Sequence, residues 1–291
     1  LSAWLSLLAV YFFWGTTYLG IRVALETIPP VTLVATRFLL SGAILWLVAW
    51  WRGAHLPRGR ELWRTSLNGL STLGVGNGCL AIAEQWVPSG LAALLITATG
   101  PVWMNALESW VPGGERFHWR SAWGMLIAFS GAAVLLAPGL DGSALAPGML
   151  AGAAVLQLGN AGWAAGSIFQ KRLGAQAHPI VAGAVQQLAT GLVYLVPAAL
   201  FELPHLHWTA QGVWAILYLA TFGSIVGYSA YLYALTKLPV SLVSTYTYVN
   251  PVVAVALGWL FYREPFGARQ WLSMATIFLG VFCIQRMRKS K

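Results

Sequence analysis

The sequence predicts an all-α polytopic membrane protein of ten transmembrane helices, arranged as two inverted five-helix repeats. Three observations carry that expectation. Hydrophobic residues make up 58% of the 291 residues and charged residues only 9%, whereas a soluble domain is about one quarter charged. The mean hydropathy is +0.68, and apolar stretches of about 17–25 residues, each long enough as helix to cross about 30 Å of hydrocarbon, recur between short polar breaks. The chain also repeats itself: a shift of about 149 positions lays the landmarks of residues 3–137 on those of 148–286.

Span 1, residues 3–23, has no basic stretch before it and no small-residue cleavage site. It also matches span 6, so it reads as a retained helix rather than a signal peptide. Span 2 (31–51) follows Pro30 and holds Arg37 about two turns in. Span 3 (66–86) contains Gly74-Val75-Gly76-Asn77-Gly78, which superficially suggests a phosphate loop. The run lies inside an apolar span without a preceding strand or a lysine, so Gly74 and Gly78 read as packing positions. Span 4 (90–110) centres on Gly100-Pro101, and span 5 covers 120–137.

The second copy places spans at 148–170, 179–200, 211–236, 240–261 and 269–286. Trp14 meets Trp163, Arg22 meets Lys171, Pro30 meets Pro179 and Gly42 meets Gly191. After small slips Pro88 falls on Pro239 and Pro101 on Pro251; the register then returns with Glu115 on Glu264, Arg120 on Arg269 and Gly131 on Gly280. An odd number of spans per copy forces the second copy to cross the bilayer in the opposite sense. Many secondary transporters build two interconvertible faces around one midplane site in this way. The spans leave no room for a soluble domain, and residues 287–291 form a basic cytoplasmic tail.

The net charge of +9 would suggest nucleic acid in a soluble chain. Its distribution says otherwise. With both termini inside, the cytoplasmic side carries Arg52, Arg58, Arg60, Arg64, Arg116, Arg120, Lys171, Arg172, Lys237, Arg286, Arg288, Lys289 and Lys291, against Arg22, Arg263 and Arg269 outside. Thirteen against three follows the positive-inside rule of an inner membrane and makes no demand for a nucleic-acid partner.

The missing chemistry narrows the function further. His55, His118, His178, His205 and His207 all lie in loops or at span edges, so no metal site and no buried histidine relay is expected. Cys79 and Cys283 fall inside spans and read as small buried apolar residues. No catalytic constellation converges in one layer, so no enzyme activity and no cofactor are expected. Among the acids, Glu26 ends span 1, Glu84 sits near the outer end of span 3 and Glu108 near the inner end of span 4. Structural roles at the rim fit them better than coupling, since rim charges are the cheaper placement.

Span centres, compared at 1.5 Å per residue, put amides and aromatic faces at one depth. Candidate substrate-binding residues are Trp14, Tyr18, Asn77, Thr97, Trp103, Gln157, Asn160, Trp163, Tyr228, Tyr246, Thr247, Tyr248 and Asn250. Ser224 and Tyr231 lie in the same layer. Pro101 and Pro251 each remove a donor and clash with the carbonyl four residues earlier, those of Thr97 and Thr247. Such matched breaks are tolerated in lipid chiefly beside protein or a wet cavity, which makes the two prolines candidate hinges. A zwitterion with an apolar side chain suits this layer: carbonyls for an ammonium, amide and indole N–H groups for a carboxylate, aromatic faces for the rest. No lysine or arginine is expected at this depth, which argues against phosphorylated substrates. Trp46, Trp50, Trp51, Trp63, Trp86 and Trp110 fit interfacial belts instead.

The joint pattern resembles the EamA repeats of the drug/metabolite transporter superfamily. It rests on Trp14-Gly15, Pro30, Arg37, Pro101, Glu115 and Gly131 in the first copy, and on Trp163, Pro179, Pro251, Glu264 and Gly280 in the second. The resemblance implies an inner-membrane carrier whose cavity is lined mainly by helices 1, 3, 4, 6, 8 and 9. The uncharged, Trp- and Tyr-rich midplane is most similar to the bacterial exporters of aromatic and other neutral amino acids. Two departures stand out: Ala164 replaces the glycine expected after Trp163, and Gln186 stands where the first copy has Arg37.

The expectation is therefore a carrier that exports small amphipathic metabolites, with aromatic or large neutral amino acids as substrates, by alternating access. Its partners are that substrate and the lipid bilayer, and a monomer is compatible with it. Facilitated transport and proton exchange both remain open. The alternatives are a drug or organic-cation exporter of the same fold, or a channel or sensor gated by its aromatic layer.

Overall fold

The computed structural model describes residues 2–112, 119–136, 148–173, 178–238, 246–264 and 266–289. Every regular element among the described residues is a helix, and none is a strand. In chain order the helices are α1 (Ser2–Ala24), α2 (Pro30–Trp51), α3 (Gly59–Gly69, continued by Leu70–Asn77 and Gly78–Ala83), α4 (Ser89–Trp110) and α5 (Trp119–Leu136). They continue as α6 (Met149–Leu173), α7 (Pro179–Pro197), α8 (Ala210–Tyr218, continued by Leu219–Tyr228 and Ser229–Lys237), α9 (Tyr246–Tyr262) and α10 (Ala268–Lys289).

Among the described residues, five stretches are long and apolar enough to cross a membrane: Ser2–Ala24, Pro30–Trp51, Ser89–Trp110, Ile180–His205 and Ala210–Ala234. Shorter apolar helices accompany them, among them Val249–Tyr262. Large apolar side chains such as Phe12, Leu47, Trp51, Leu192, Val196 and Phe282 point outward. In water such a surface would be an aggregation hazard; against lipid tails it is the expected exterior.

The helix ends are set by local chemistry. Pro30 occupies the first turn of α2, where its missing N–H costs nothing. The Glu202 carboxylate accepts from the next amides, Val31 N at 3.1 Å and Thr32 N at 2.7 Å, and from Thr32 Oγ1 at 2.9 Å. Glu264 does the same for α4, accepting from Ser89 N at 3.1 Å, Ser89 Oγ at 2.9 Å and Gly90 N at 3.2 Å. A carboxylate here satisfies orphan donors and meets the positive end of the helix dipole. Thr209 caps α8 by accepting from Gly212 N at 3.1 Å. Gly53, with φ of +63°, adopts the left-handed turn that stops α2.

The principal packing pairs are α5 with α10, α2 with α7, α1 with α9, α6 with α4, α3 with α6 and α8 with α1. Where α2 crosses α7, a methyl on Gly42 would lie 2.8 Å from Leu188 N, and one on Gly191 would lie 2.7 Å from Leu39 N. Where α5 crosses α10, a methyl on Gly131 would lie 2.9 Å from the carbonyl oxygen of Ser273. Only glycine lets these backbones approach so closely.

Three helices depart from α geometry: α7 ends in a π-helix over Ala198–Glu202, and α3 and α8 change at points 149 positions apart. α3 widens into a π-helix over Leu70–Asn77, and α8 does so over Leu219–Tyr228. In a π-turn the hydrogen-bond ladder slips by one residue, which frees carbonyls and re-aims side chains; such turns concentrate at functional sites. Hydropathy alone expects two plain helices here, because it does not register which carbonyl each amide reaches.

Candidate functional site

Trp14 is the hub of an aromatic cluster. Its ring meets Trp163 edge-on at 5.9 Å and Tyr246 edge-on at 5.1 Å, and lies tilted against Tyr231 at 4.9 Å. Tyr231 contacts Tyr246 at 5.8 Å and Tyr228 at 6.3 Å. Four helices, α1, α6, α8 and α9, thus converge through side chains. Such pairs contribute about 0.5–1.5 kcal/mol each beyond area burial, enough to hold the cluster's geometry.

The π-turns tie this cluster to the backbone. Trp14 Nε1 donates to the carbonyl of Gly223 at 3.2 Å, inside the π-turn of α8. In the π-turn of α3 the carbonyl of Gly74 accepts from the Tyr194 hydroxyl at 2.7 Å. A freed carbonyl in a low-dielectric layer needs such a donor. Gly223 also leaves room: a methyl there would approach Thr17 Cγ2 to 2.7 Å and Arg37 Nη2 to 3.0 Å, whereas one on Gly74 would come no closer than 3.8 Å to its neighbours.

The amides assigned from sequence divide into two groups. Asn160 donates to Thr99 Oγ1 at 2.7 Å and to the carbonyl of Ile96 at 3.3 Å, one residue before Thr97. Trp103 Nε1 donates to Gln157 Oε1 at 3.1 Å, so these two candidates engage each other. Thr97 is buried and bonds the Ala93 carbonyl of its own helix at 2.9 Å. Asn250 is buried, and the amide orientation that satisfies its surroundings has its nitrogen donating to the main-chain carbonyls of Tyr11 at 3.1 Å and Tyr246 at 3.2 Å. It therefore braces α9 on α1. Asn77 is half-buried and ends the π-turn of α3. Tyr18 is half-buried and packs on the core one turn beyond Trp14. The side chains of Pro101, Thr247 and Tyr248 lie outside the described residues; Pro251 sits inside α9.

Tyr228 belongs to a separate polar knot. Its hydroxyl donates to Gln186 Oε1 at 2.5 Å, while Gln186 Nε2 donates to Asn68 Oδ1 and Gln170 Oε1, both at 2.9 Å. Asn68 Nδ2 continues to the Gly166 carbonyl at 2.6 Å. Gln186 and Asn68 are fully enclosed, and their partners satisfy them.

The expectation of no arginine at site depth is corrected by Arg37. Its Nε donates to Ser224 Oγ at 2.8 Å, next to the very residue whose carbonyl holds Trp14. Arg37 is 6% exposed and its guanidinium also lies 5.0 Å from the Phe38 ring. The Cα depth that sequence arithmetic provides underestimates the reach of a long side chain. Glu84 is fully buried and lies within electrostatic reach of Arg22, Arg37, Tyr18 and Glu264. Both residues were visible as intramembrane charges, the signal that could have promoted them. Cys79 is buried and Cys283 half-buried, and both are free thiols. No group of three or more metal-ligating side chains gathers among the described residues.

The comparisons with known proteins agree on kind. The model of the EamA-like transporter family matches twice, over residues 1–137 and 150–286. An uncharacterized inner membrane transporter of Escherichia coli, YedA, is 35% identical over 96% of this chain and 89% of its own length. The uncharacterized transporter YvbV of Bacillus subtilis is 28% identical, covering 87% of this chain and 81% of its own. A WAT1-related chloroplastic protein of Arabidopsis thaliana is 26% identical over 97% of this chain and 69% of its own. One crystal structure superposes with a TM-score of 0.71 at 21% identity, covering 100% of this chain and 99% of the other, a likeness of fold.

Proposed function

The chain belongs to the EamA-like transporter family, and from that premise we propose that it is a ten-helix inner-membrane carrier of small amphipathic metabolites. Aromatic or large neutral amino acids are the substrates we assign, moved outward by alternating access. Two inverted repeats, 3–137 and 148–286, would rock about the midplane, with both termini cytoplasmic. The double family match and the reciprocal packing pairs support the repeats. The cytoplasmic excess of lysine and arginine supports the orientation.

One observation carries the substrate class: Trp14, Trp163, Tyr231 and Tyr246 form a four-helix aromatic cluster beside the Gly223 carbonyl, with Arg37 held next to it by Ser224. Flat apolar faces suit a large side chain, and carbonyls suit an ammonium. Arg37, through its guanidinium, supplies the counter-charge a carboxylate needs.

Proteoliposomes loaded with labelled phenylalanine test this. Release should saturate and accelerate when unlabelled phenylalanine is outside, because a carrier exchanges and a pore does not. Trp163→Ala should raise the half-saturating concentration about tenfold, the effect of losing roughly 1.4 kcal/mol of binding. Release at the rate of empty liposomes from folded protein, or unchanged kinetics in Trp163→Ala, defeats the assignment.

A further inference from the structure

Four acids gather where α1, α3, α7 and α9 end, and three of them are spent. Glu202 holds the first amides of α2, and Glu264 those of α4. Glu26 accepts from Gln211 Nε2 at 2.8 Å and from the Tyr262 hydroxyl. Glu84 is different. It is 0% exposed, and neither carboxyl oxygen accepts a hydrogen bond from any described residue.

Its surroundings are equally specific. From α1, Arg22 Nη1 donates at 2.9 Å, but to the main-chain carbonyl of Glu84, and Tyr18 lies within electrostatic reach of the carboxyl. From α2, Arg37 is within reach while its Nε is held by Ser224 of α8. The loop after α9 adds Glu264, already engaged with α4. α6 also packs on α3, and its Lys171 and Arg172 stand near its other end. Two cations are near, yet neither is bonded to the carboxyl. A buried carboxylate with two bare oxygens is unfavourable, whereas a protonated carboxyl carries no charge to compensate. Arg37 connects this group to the aromatic layer, since its partner Ser224 follows Gly223, whose carbonyl holds Trp14.

We propose that Glu84 is a proton-binding site and that its protonation is coupled to transport. This rests on the carrier reading above. A proton from water forms the carboxyl O–H bond on one side of the membrane. That bond breaks, and the proton returns to water, on the other side, so one charge crosses per cycle. Arg37 supplies the conformational dependence. Held by Ser224, it leaves Glu84 protonated; when α8 moves against α3 the guanidinium is released towards the carboxyl and favours the carboxylate.

The test uses the full chain in two preparations. In weakly buffered detergent solution, acid–base titration between about pH 5 and pH 9 should show the wild type binding one proton more than Glu84→Gln. Adding phenylalanine should change the bulk pH with the wild type and not with the variant. In proteoliposomes, an imposed pH gradient should accelerate wild-type phenylalanine flux several-fold, because the proton then supplies part of the driving force. Glu84→Gln should keep counterflow at equal pH and lose the gradient response, and Glu84→Asp should restore part of it. If wild type and Glu84→Gln titrate identically, Glu84 is not a proton site. Should the wild type show counterflow but ignore the gradient, the coupling falls while the carrier stands. Absence of counterflow in the wild type would instead sink the substrate assignment, leaving the titration to decide on Glu84. If Glu84→Gln does not fold, Glu84→Asp carries the test, and a titration midpoint identical to wild type overturns the proposal.

Discussion

Arg37 and Gln186 stand 149 positions apart, at the same place in the two copies that the sequence predicts, and they do opposite things. Gln186 is a neutral amide whose donors and acceptor are all engaged, by Asn68, Gln170 and Tyr228. Arg37 is a buried cation with one bond to Ser224 and an unpaired carboxyl, Glu84, within its field. A closed polar network rigidifies because every alternative arrangement leaves a group unsatisfied. An open, charged one has somewhere to go. The difference teaches that one helix bundle can carry a fixed joint at one end and a switchable one at the other, built from the same position by a single change of residue type.

The sharpest way to break that comparison is Gln186→Ala. It strands Asn68, Gln170 and the Tyr228 hydroxyl in the interior, at about 1–3 kcal/mol for each orphaned group. A total loss of roughly 2–4 kcal/mol is expected once the network relaxes, read as a lowered midpoint of thermal unfolding in detergent. Arg37→Gln makes the two ends alike and is the next largest. The new amide still reaches towards Ser224, so stability should change by less than about 1 kcal/mol. Transport should fall about tenfold or more, the equivalent of 1.4 kcal/mol or above on the rate-limiting barrier. Reversed outcomes, an unstable Arg37→Gln and a tolerant Gln186→Ala, would mean that the charged end is the joint.

How far the sequence foresaw these ends depends on what hydropathy can sense. Predicted spans 31–51 and 90–110 meet helices Pro30–Trp51 and Ser89–Trp110, because their borders coincide with prolines and polar loops. Span 66–86 begins too late: α3 starts at Gly59, and its first turns, with Arg60, Glu61 and Arg64, are too polar to register as buried. Predicted residues 240–245 of span 9 lie outside the described residues. The aromatic contacts of Trp14 and Trp163 were legible from equal depth and from the repeat. The aim of Asn250 at α1, the pairing of Trp103 with Gln157 and the bonding of Arg37 to Ser224 were not. Periodicity gives the height of a Cα atom; which neighbour a side chain meets depends on helix rotation and tilt, which only packing decides.

A smaller effect probes the π-turns of α3 and α8, the other point where the predicted copies correspond. Each exposes a glycine carbonyl to an aromatic donor: Gly74 to the Tyr194 hydroxyl and Gly223 to the Trp14 indole. Tyr194→Phe deletes one oxygen and nothing else, so it should cost about 0.5–1.5 kcal/mol of stability and leave the half-saturating phenylalanine concentration unchanged. Trp14→Phe deletes the matching donor at a similar cost in stability. Because Trp14 is also the centre of the aromatic cluster, it should in addition weaken phenylalanine binding several-fold. The pair therefore separates scaffold from site within one structural motif. Equal effects on affinity would place Tyr194 in the site as well, and no effect from either would remove the aromatic cluster from substrate recognition.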